Sequence, residues 1–253
     1  MRGASDGSLP QGLPPSSQDR FTIVIPARNE ALSIGAIVAA CLRQTPHVLV
    51  IDGPSVDGTA AVAAKAGARV VSQHLPGKGL AIREAALLVT TEIVVFIDAD
   101  GSHVVEDIPA LVAPILAGEA DHVQASRLIG GSSELHGSFN EFFRLAGSAF
   151  ITACINWRFG TCLSESQNGF RAIRLELLRH LGLRERGTTI EQEMVIKTLR
   201  LGARLLEVPS HEHKRLHGSS HIRLRRVWFR YLYSFLKNLL APRGVGSGGG
   251  WSR

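Results

Sequence analysis

The stretch EIVVFIDADGSH, residues 92–103, is an unbroken apolar run that ends in two carboxylates, Asp98 and Asp100. The run is short and rich in β-branched residues, which is typical of a strand buried on both faces of a parallel sheet. Side chains two residues apart on a strand point to the same face, so we expect the carboxylates to lie side by side. Because like charges repel, this pattern predicts a cation beside the strand end.

Three more apolar runs precede this stretch, and Ala-rich segments of helical character separate them. The predicted strands cover residues 21–25, 47–51, 68–71 and 92–97, and the predicted helices cover residues 30–42, 57–66 and 79–89. This alternation forms three βαβ units, which predicts a mostly parallel, Rossmann-like α/β sheet flanked by helices. Later patterns predict helices over residues 106–116, 139–158 and 190–201, and strands over residues 122–125 and 203–208.

The chain has 253 residues, of which 45% are hydrophobic and 20% charged, as in an ordinary globular protein. Its three cysteines lack a metal-type spacing, and their odd number favours a reducing compartment over a disulfide framework. The net charge of +6 is concentrated in residues 211–253, which hold nine Lys or Arg residues and one acid. The basicity is therefore informative about the partners of this C-terminal region.

Composition divides the chain into four regions. Residues 1–19 are rich in Pro, Gly and Ser and have no apolar signal-peptide core, so they predict a disordered tail and not a secretion signal. Residues 20–210 are expected to form the α/β domain, and residues 211–243 a basic loop and an amphipathic helix. Residues 244–253 predict a second disordered tail.

Polar or glycine-rich turns lie at the ends of all four predicted strands of the first half. They cover residues 26–30, 52–59, 76–79 and 98–100. In open α/β sheets, ligands bind at the carboxyl ends of the strands, so these turns predict a site for a charged ligand. The PGKG turn resembles a phosphate-cradling turn but lacks P-loop spacing, and no Gly-x-Gly-x-x-Gly follows the first strand. A P-loop ATPase and a dinucleotide oxidoreductase are therefore disfavoured.

Several acidic residues in these turns have two competing interpretations. Asp98 and Asp100 offer hard oxygen ligands that suit Mg²⁺ or Mn²⁺, and we favour this over a plain strand-ending turn. Asp52 follows an apolar strand directly, where it would accept hydrogen bonds from a base or a ribose. Asp57 precedes the second helix, so capping competes with ligand binding there. For Arg28–Glu30, a helix start and a binding role are equally supported.

The C-terminal segment 221–240 predicts an amphipathic helix. Its basic stripe is formed by positions 223, 226, 230 and 237, and its apolar stripe by positions 224, 228, 231, 235 and 239. The segment is too short and too charged to span a bilayer. We favour a helix that lies on an anionic membrane surface. The alternative is a terminal helix packed on the domain with a solvated basic face.

The motifs, taken in their order along the chain, resemble those of the family 2 glycosyltransferases with the GT-A fold. They resemble most closely those of the dolichyl- or polyprenyl-phosphate sugar synthases. The resemblance is carried by residues 24–30, 52, 55–59, 77–79, 98–100, 167–171, 191–193 and 208–209. It covers residues 21–222 and implies an inverting, metal-dependent hexosyltransferase. The chain departs from the family pattern where Gly53 replaces an acid and His221 replaces a lysine. The acid often found shortly before the Gly-Phe-Arg motif appears here as Glu165.

The resemblance implies a role for each candidate site residue. The donor-binding candidates are Pro26, Arg28, Glu30, Asp52, Asp57, Lys78 and Asp98, with Asp98 and Asp100 as metal ligands. The catalytic candidates are Asp100, Glu191, Glu193 and Arg215. The remaining substrate-binding candidates are Gln167, Asn168, Ser219 and Ser220, of which the two serines belong to a loop that would close over the diphosphate.

The implied reaction transfers a hexose from a GDP-mannose- or UDP-glucose-type donor to a polyprenyl or dolichyl phosphate, with Mg²⁺ or Mn²⁺ as cofactor. We expect a peripheral protein at the cytoplasmic membrane face, not secreted and without a transmembrane segment. A small membrane-anchoring partner is a further expectation. The alternatives are a glycan, soluble or other lipid acceptor, or a non-catalytic nucleotide-sugar-binding subunit of a membrane complex. Nucleic-acid binding is disfavoured because the basic segment lacks a reading motif.

Overall fold

A computed structural model describes residues 15–132, 139–214 and 233–240 of the chain. The strands are β1 (Phe21–Ala27), β2 (Val48–Asp52), β3 (Arg69–Ser72), β4 (Ile93–Phe96), β5 (His122–Ser126), β6 (Arg171–Arg174) and β7 (Leu205–Pro209). The helices are α1 (Pro15–Gln18), α2 (Ile34–Leu42), α3 (Thr59–Lys65), α4 (Lys78–Leu88), α5 (Ile108–Leu116), α6 (Arg127–Gly130), α7 (Phe139–Phe159), α8 (Leu175–His180) and α9 (Ile190–Arg200). A 3-10 turn, Val105–Asp107, leads into α5, and residues 233–240 are helical.

The seven strands form one sheet in the order β3-β2-β1-β4-β6-β5-β7. The first four strands run parallel, as do β5 and β7, whereas β6 is antiparallel to both of its neighbours. This architecture confirms the predicted mostly parallel α/β sheet of the GT-A type. Because β1, β2 and β4 are parallel neighbours, the turns that follow them meet at one edge of the sheet.

Helices cover both faces of the sheet, which explains the apolar runs of the central strands. Side chains of β1 alternate between two core clusters: Ile23 and Ile25 pack with α2 and α5, whereas Val24 packs with α4 and α8. Every residue of β2 and β4 is buried. Strands buried on both faces cannot alternate apolar with polar residues, so their sequences are continuous hydrophobic runs.

Several boundaries differ from the sequence expectations. Helix α2, predicted over residues 30–42, begins at Ile34 and not at residue 30. Asn29 adopts a left-handed φ of 56°, and the chain makes a turn before the helix. β6 and α8 were not predicted. The sequence of β6 is RAIR, with an arginine at each end, so it lacks the apolar run that marks the other central strands.

Parts of the predicted terminal regions lie outside the described residues. Residues 15–18 of the predicted tail form a helical turn, and residues 1–14 are not described. Residues 215–232 and 241–253, which hold most of the predicted basic loop and amphipathic helix, are also outside the described ranges. Among the helices within those ranges, none has the length and apolarity that crossing a membrane requires.

Candidate active site

Asp98 meets a lysine from another element just beyond β4. Lys78, the first residue of α4, places its Nζ 2.5 Å from Asp98 Oδ1 and 2.5 Å from Glu191 Oε1. Lys78 is thus a cation of the kind that the acidic strand end was expected to require. The side chain of Asp98 remains 29% exposed, so the pair faces the open edge of the sheet. We call Lys78, Asp98 and Glu191 the central ion cluster.

The cluster keeps two of its members charged. Burial by itself would raise the pKa of Asp98, but Lys78 and His103 bring it well below its usual range. Burial would likewise lower the pKa of Lys78, but Asp98 and Glu191 raise it instead. An ionised carboxylate with an exposed edge therefore stands beside a permanent positive charge.

His103 is a neighbour of the cluster that the motifs did not identify. Its buried Nε2 lies 3.5 Å from Asp98 Oδ2, and its ring stacks on Phe170 with centroids 5.1 Å apart. His103 thus links the acidic loop after β4 to the segment before β6. The available signal was its position three residues after Asp100 in the same loop.

We had expected Asp98 and Asp100 to lie side by side on a strand, but they do not. β4 ends at Phe96, so both acids belong to the following loop and the alternation of strand side chains does not apply to them. The buried Asp100 accepts hydrogen bonds from Ser102 N at 3.1 Å and Ser102 Oγ at 2.7 Å. Across the described ranges, no group of three or more His, Cys, Asp or Glu side chains is placed to hold a metal. Two carboxylates, of which Asp98 is ionised and partly exposed, still suit Mg²⁺ or Mn²⁺, which keep several water or phosphate ligands.

Of the two glutamates predicted on α9, only Glu191 reaches the cluster. Glu193 points elsewhere, where it accepts hydrogen bonds from the backbone N–H groups of residues 184–185 at 2.8–3.0 Å. It also pairs with Lys197 at 2.7 Å. Side chains two residues apart on a helix do not face each other, which is why α9 separates the two acids. Glu193 therefore supports a loop, and the structure does not bring it to the central ion cluster.

Gly169 allows the segment before β6 to approach the cluster closely. A Cβ at this position would lie 2.5 Å from Lys78 Nζ and 2.7 Å from Asp98 Oδ2. Asn168 Oδ1 accepts a hydrogen bond from Phe170 N at 2.8 Å, which shapes the turn. Gln167 Nε2 contacts Gln192 Oε1 at 3.4 Å. Both predicted substrate-binding amides thus have protein partners, Asn168 within its own turn and Gln167 on α9.

Arg171 fixes the relative position of this turn and α9. Its fully buried guanidinium donates to the backbone carbonyls of Asn168 and Glu191, the latter at 3.1 Å. Burial lowers the pKa of Arg171 despite the nearby acids. A cation buried in this way is retained because it satisfies several acceptors at once. Arg171 belonged to the Gly-Phe-Arg motif, but the sequence assigned it no role.

The two glycines beside Lys78 pack against residues 185–186. Gly79 N donates to Arg186 O at 3.0 Å, and a Cβ on either glycine would collide with a backbone carbonyl of that segment. The N–H group of Gly79 is therefore already bonded, which differs from the expected phosphate-cradling turn. The turn instead places Lys78 between the two carboxylates.

The turns after β1 and β2 are joined by hydrogen bonds. Asn29 N donates to Ser55 Oγ at 2.8 Å, and Val56 N donates to Asn29 Oδ1 at 3.0 Å. Asp57 accepts from the backbone of Ala31 and Thr59, each at 3.0 Å. Burial opposes the shift, but hydrogen bonds from the Thr59 hydroxyl and from these backbone groups hold the pKa of Asp57 below its usual value. The N-cap of α3 is Gly58, so these contacts give Asp57 a structural role in the turn before the helix and not that of the N-cap.

Asp52 ends β2 opposite Ala27 of β1, and its buried carboxylate accepts a hydrogen bond from Ser55 Oγ. Pro26 is half-buried at the end of β1, whereas Arg28 is exposed. Ser33 Oγ lies 3.1 Å from Glu30 Oε2 and donates to Ala99 O at 2.7 Å. This places the predicted donor-binding turns beside the loop that carries Asp98.

A second ionic group borders the site, and of its members only Glu165 was among the motif positions. Arg127 contacts Glu165 at 2.7 Å and Glu212 at 2.6 Å. Burial raises the pKa of Glu165, although Arg127 partly offsets the effect. His213 N donates to Ser102 O at 2.8 Å, so the chain leaves the described residues at Lys214 close to the acidic loop. The predicted site residues Arg215, Ser219 and Ser220 lie outside the described residues.

The sequence of this chain is similar to those of known glycosyltransferases. The family model for glycosyl transferase family 2 matches residues 22–182. An uncharacterised glycosyltransferase of Mycobacterium tuberculosis (strain H37Rv) is 32% identical over 81% of this chain and 90% of its own length. A dolichyl-phosphate hexose transferase of Haloferax volcanii is 29% identical, over 76% and 82% of the two chains. An undecaprenyl-phosphate mannosyltransferase of Micrococcus luteus is 30% identical, over 75% and 82%.

The fold is also similar to solved structures. Glucosyl-3-phosphoglycerate synthase from Mycobacterium tuberculosis, in complex with Mn²⁺, UDP-glucose and phosphoglyceric acid, superposes with a TM-score of 0.70. Its sequence is 24% identical, and the match covers 90% of this chain and 83% of that one. With the family model matching more than half of its residues, this chain belongs to glycosyl transferase family 2 and is a glycosyltransferase.

Proposed function

We propose that this glycosyltransferase moves a hexose, with inversion, from a nucleotide-sugar of the GDP-mannose or UDP-glucose type to a polyprenyl or dolichyl phosphate at the cytoplasmic membrane face. The observation that carries the proposal is the central ion cluster, in which Lys78 joins Asp98 and Glu191 at the carboxyl edge of the sheet. This edge is where open α/β sheets bind their ligands, and it is bordered by the turns after β1 and β2.

The donor chemistry fits the charges of the cluster. Breaking the anomeric C–O bond places negative charge on the leaving diphosphate, and Lys78 is a cation positioned beside that edge. Asp98 and Asp100 would hold the divalent metal. Bound Mg²⁺ or Mn²⁺ would supply Lewis-acid stabilisation of the leaving diphosphate. The solved complex of the structural relative with Mn²⁺ and UDP-glucose supports this assignment.

The acceptor chemistry distinguishes a phosphate from an alcohol. A phosphate monoester is largely ionised near neutral pH and needs little help from a base, whereas a hydroxyl must lose a proton as it attacks. Glu191 shares Lys78 with Asp98, so its ion pair holds it at the site as a positioning group. The dolichyl-phosphate hexose transferase of Haloferax and the undecaprenyl-phosphate mannosyltransferase of Micrococcus support a lipid phosphate acceptor.

A soluble phosphorylated acceptor is the second candidate. The structural relative was solved with phosphoglyceric acid, which shows that this fold accommodates a small anionic acceptor in that protein. Both candidates present a phosphate group to the enzyme. They differ in whether a long apolar chain accompanies it.

A crossed screen of donors and acceptors tests the proposal. GDP-mannose, UDP-glucose and UDP-GlcNAc are each incubated with polyprenyl phosphate or 3-phosphoglycerate, in Mg²⁺, Mn²⁺ or EDTA. We expect transfer to polyprenyl phosphate that requires the metal and is lost in Asp98→Asn. The surface variant Lys65→Met, at the end of α3, should keep full activity. Transfer to phosphoglycerate alone would select the soluble acceptor, and an active Asp98→Asn enzyme would contradict the assigned centre.

The Glu191→Gln variant tests the ionised-phosphate mechanism. The amide cannot act as a base, but an ionised phosphate acceptor needs none, so the variant should retain measurable transfer to polyprenyl phosphate. Complete loss of transfer in a folded Glu191→Gln protein would show that a proton must be removed from the acceptor. That result would favour an alcohol acceptor, such as a glycan.

A further inference from the structure

The outer face of α7 is apolar and exposed. Residues 145–157, LAGSAFITACINW, contain no charged side chain. Positions 146, 150, 153 and 157 recur at helical spacing and form one stripe, in which Phe150 is 63% exposed and Trp157 is 85% exposed. A solvent-facing helix surface normally carries charged and polar residues. We call the stripe formed by Ala146, Phe150, Ala153 and Trp157 the α7 face.

The opposite side of α7 is firmly anchored to the domain. Ile155 is fully buried, Thr152 Oγ1 lies 2.9 Å from Ser166 Oγ, and Asn156 Nδ2 donates to Leu163 O at 2.8 Å. The helix therefore has a defined inner side and a defined outer side. No described residue covers the α7 face, so it is open to contact with another molecule or with another part of the chain.

A neighbouring helix presents a second apolar surface. Residues 233–240 bury Phe235 and Leu239 against Ile155 of α7 and against α9. Their other side exposes Tyr233 at 67% and Leu240 at 74%. Because both helices share the cluster around Ile155, their exposed surfaces belong to one region of the molecule.

The chain that leads into this second helix is strongly basic. Residues 215–232 contain five arginines and neither an aspartate nor a glutamate, and Lys237 adds a further exposed charge within the helix itself. Positive charge next to exposed tryptophan, tyrosine and leucine is complementary to an anionic lipid surface. Contact with a second copy of a basic chain would instead bring like charges together.

We propose that the α7 face and the outer surface of residues 233–240 dock onto an anionic lipid bilayer. Apolar side chains would enter the region between headgroups and acyl chains, and the positive charge of this part of the sequence favours anionic lipid. Within the described ranges, no helix has the length and apolarity that crossing a membrane requires. The vesicle-binding prediction holds whichever acceptor the enzyme uses.

Docking also has a consequence for catalysis, which rests on the proposed function. The inner side of α7 holds residues 163–166, which lead directly to Gly169 beside Lys78 and Asp98. The same helix therefore touches both the proposed bilayer contact and the support of the active site. An acceptor whose phosphate lies at the membrane surface would meet the enzyme there.

Vesicle binding by the full chain tests the inference. Vesicles of phosphatidylcholine, with or without phosphatidylglycerol, are sedimented with the wild type and with the Phe150→Glu/Trp157→Glu double variant. The control is Leu87→Glu, which places one such carboxylate at an 81% exposed leucine on α4. We expect the wild type and the control to bind anionic vesicles, and the double variant to partition at least about tenfold less. Equal binding of all three proteins, or no binding by any, would overturn the proposal.

Tryptophan fluorescence locates the contact. Replacing Trp228 and Trp251 by Phe leaves Trp157 as the only tryptophan. Anionic vesicles with brominated acyl chains should quench its emission and shift it to the blue. Unquenched emission during vesicle binding would place the contact elsewhere. Blue-shifted emission before vesicles are added would show that another part of the chain, or a second copy, covers the α7 face.

Two further measurements separate the possible causes of failure. Sedimentation equilibrium compares the oligomeric states of the wild type and the double variant. If the wild type were a dimer and the double variant a monomer, the α7 face would bind a second copy and the proposal would be wrong. Transfer to a short, water-soluble polyprenyl phosphate should be the same in both proteins, whereas transfer to a long-chain acceptor in vesicles should fall in the double variant. Absence of transfer to either acceptor would refute the proposed function while leaving the vesicle result intact.

Discussion

At the scale of single residues, the site depends on where Lys78 is placed. One ammonium group is shared by a carboxylate from the loop after β4 and another from the start of α9. Two carboxylates held near a common point repel each other unless a cation lies between them. Lys78 therefore stabilises the fold and shapes the site at the same time.

Removal of this lysine should destabilise the protein. We expect Lys78→Met to lower the free energy of unfolding by about 2–3 kcal/mol, because it leaves partly buried carboxylates without their cation. Adding Glu191→Gln to this variant should recover about 1 kcal/mol, since it removes one of the repelling charges. In the wild type, Glu191→Gln should instead be destabilising.

Urea unfolding of the four proteins measures this cycle. Lys65→Met, at an exposed position on α3, is the control and should change stability by less than about 0.5 kcal/mol. If Glu191→Gln had the same effect with and without Lys78, the two residues would be energetically independent. That result would contradict the central ion cluster.

Gly169 tests the close approach of the segment before β6. We expect Gly169→Ala to lower the transfer rate by at least about tenfold, because the new methyl group would displace Lys78 or Asp98 from its position. Gly147→Ala is the matched control, since a Cβ there meets no atom within 4 Å and the residue lies inside α7. The control should keep its activity and gain about 0.5–1 kcal/mol of stability, as alanine favours helix. Steady-state kinetics and thermal unfolding of both variants decide; equal activities would refute the steric argument.

At the scale of secondary-structure elements, the C-terminal helix combines two interpretations that the sequence left as alternatives. Residues 233–240 pack Phe235 and Leu239 into a cluster with α7 and α9, yet they also expose Tyr233 and Leu240. The apolar stripe read from the sequence included positions 235 and 239, which the structure uses for packing. Deleting the whole segment would therefore disturb the fold as well as any membrane contact, so point substitutions are the better test.

Phe235 should contribute substantially to stability. We expect Phe235→Ala to lower the free energy of unfolding by about 3 kcal/mol, because it empties a buried site between three helices. Leu236→Ala, at the next and partly exposed position, should cost less than about 1 kcal/mol. Urea denaturation compares the two. Equal, small effects would show that residues 233–240 are not held against the domain.

The fold was predictable at this scale because each element carries its own local signal. Buried parallel strands show continuous apolar runs, and the helices between them are rich in alanine. β6 was not predicted because its arginines bind partners far away in the sequence. Arg171 donates to the backbone carbonyl of Glu191, and Arg174 pairs with Glu92. A strand chosen for such contacts does not have the composition of an isolated strand.

At the scale of the whole molecule, the three cysteines report on how the chain is packed. All three are free; Cys41 is buried in the core, Cys154 is partly buried and Cys162 is exposed. Burial raises the pKa of Cys41 to about 12, so almost none of it is thiolate at pH 8. We expect one cysteine, Cys162, to react rapidly with a thiol reagent in the native protein, and Cys41 to react only after unfolding. Mass spectrometry of the labelled peptides identifies the sites, and fast modification of Cys41 would contradict its position in the core.

By itself, the sequence determined the family, the parallel α/β sheet and the turns that line its edge, because these follow from patterns within short stretches. Tertiary structure alone decided which residues meet there. Lys78 and Glu191 are 113 positions apart, and no local periodicity records their contact. Packing likewise brought His103 to Asp98 and turned Glu193 towards a supporting loop. The physical reason is that charges pair through space, whereas sequence patterns describe only neighbours along the chain.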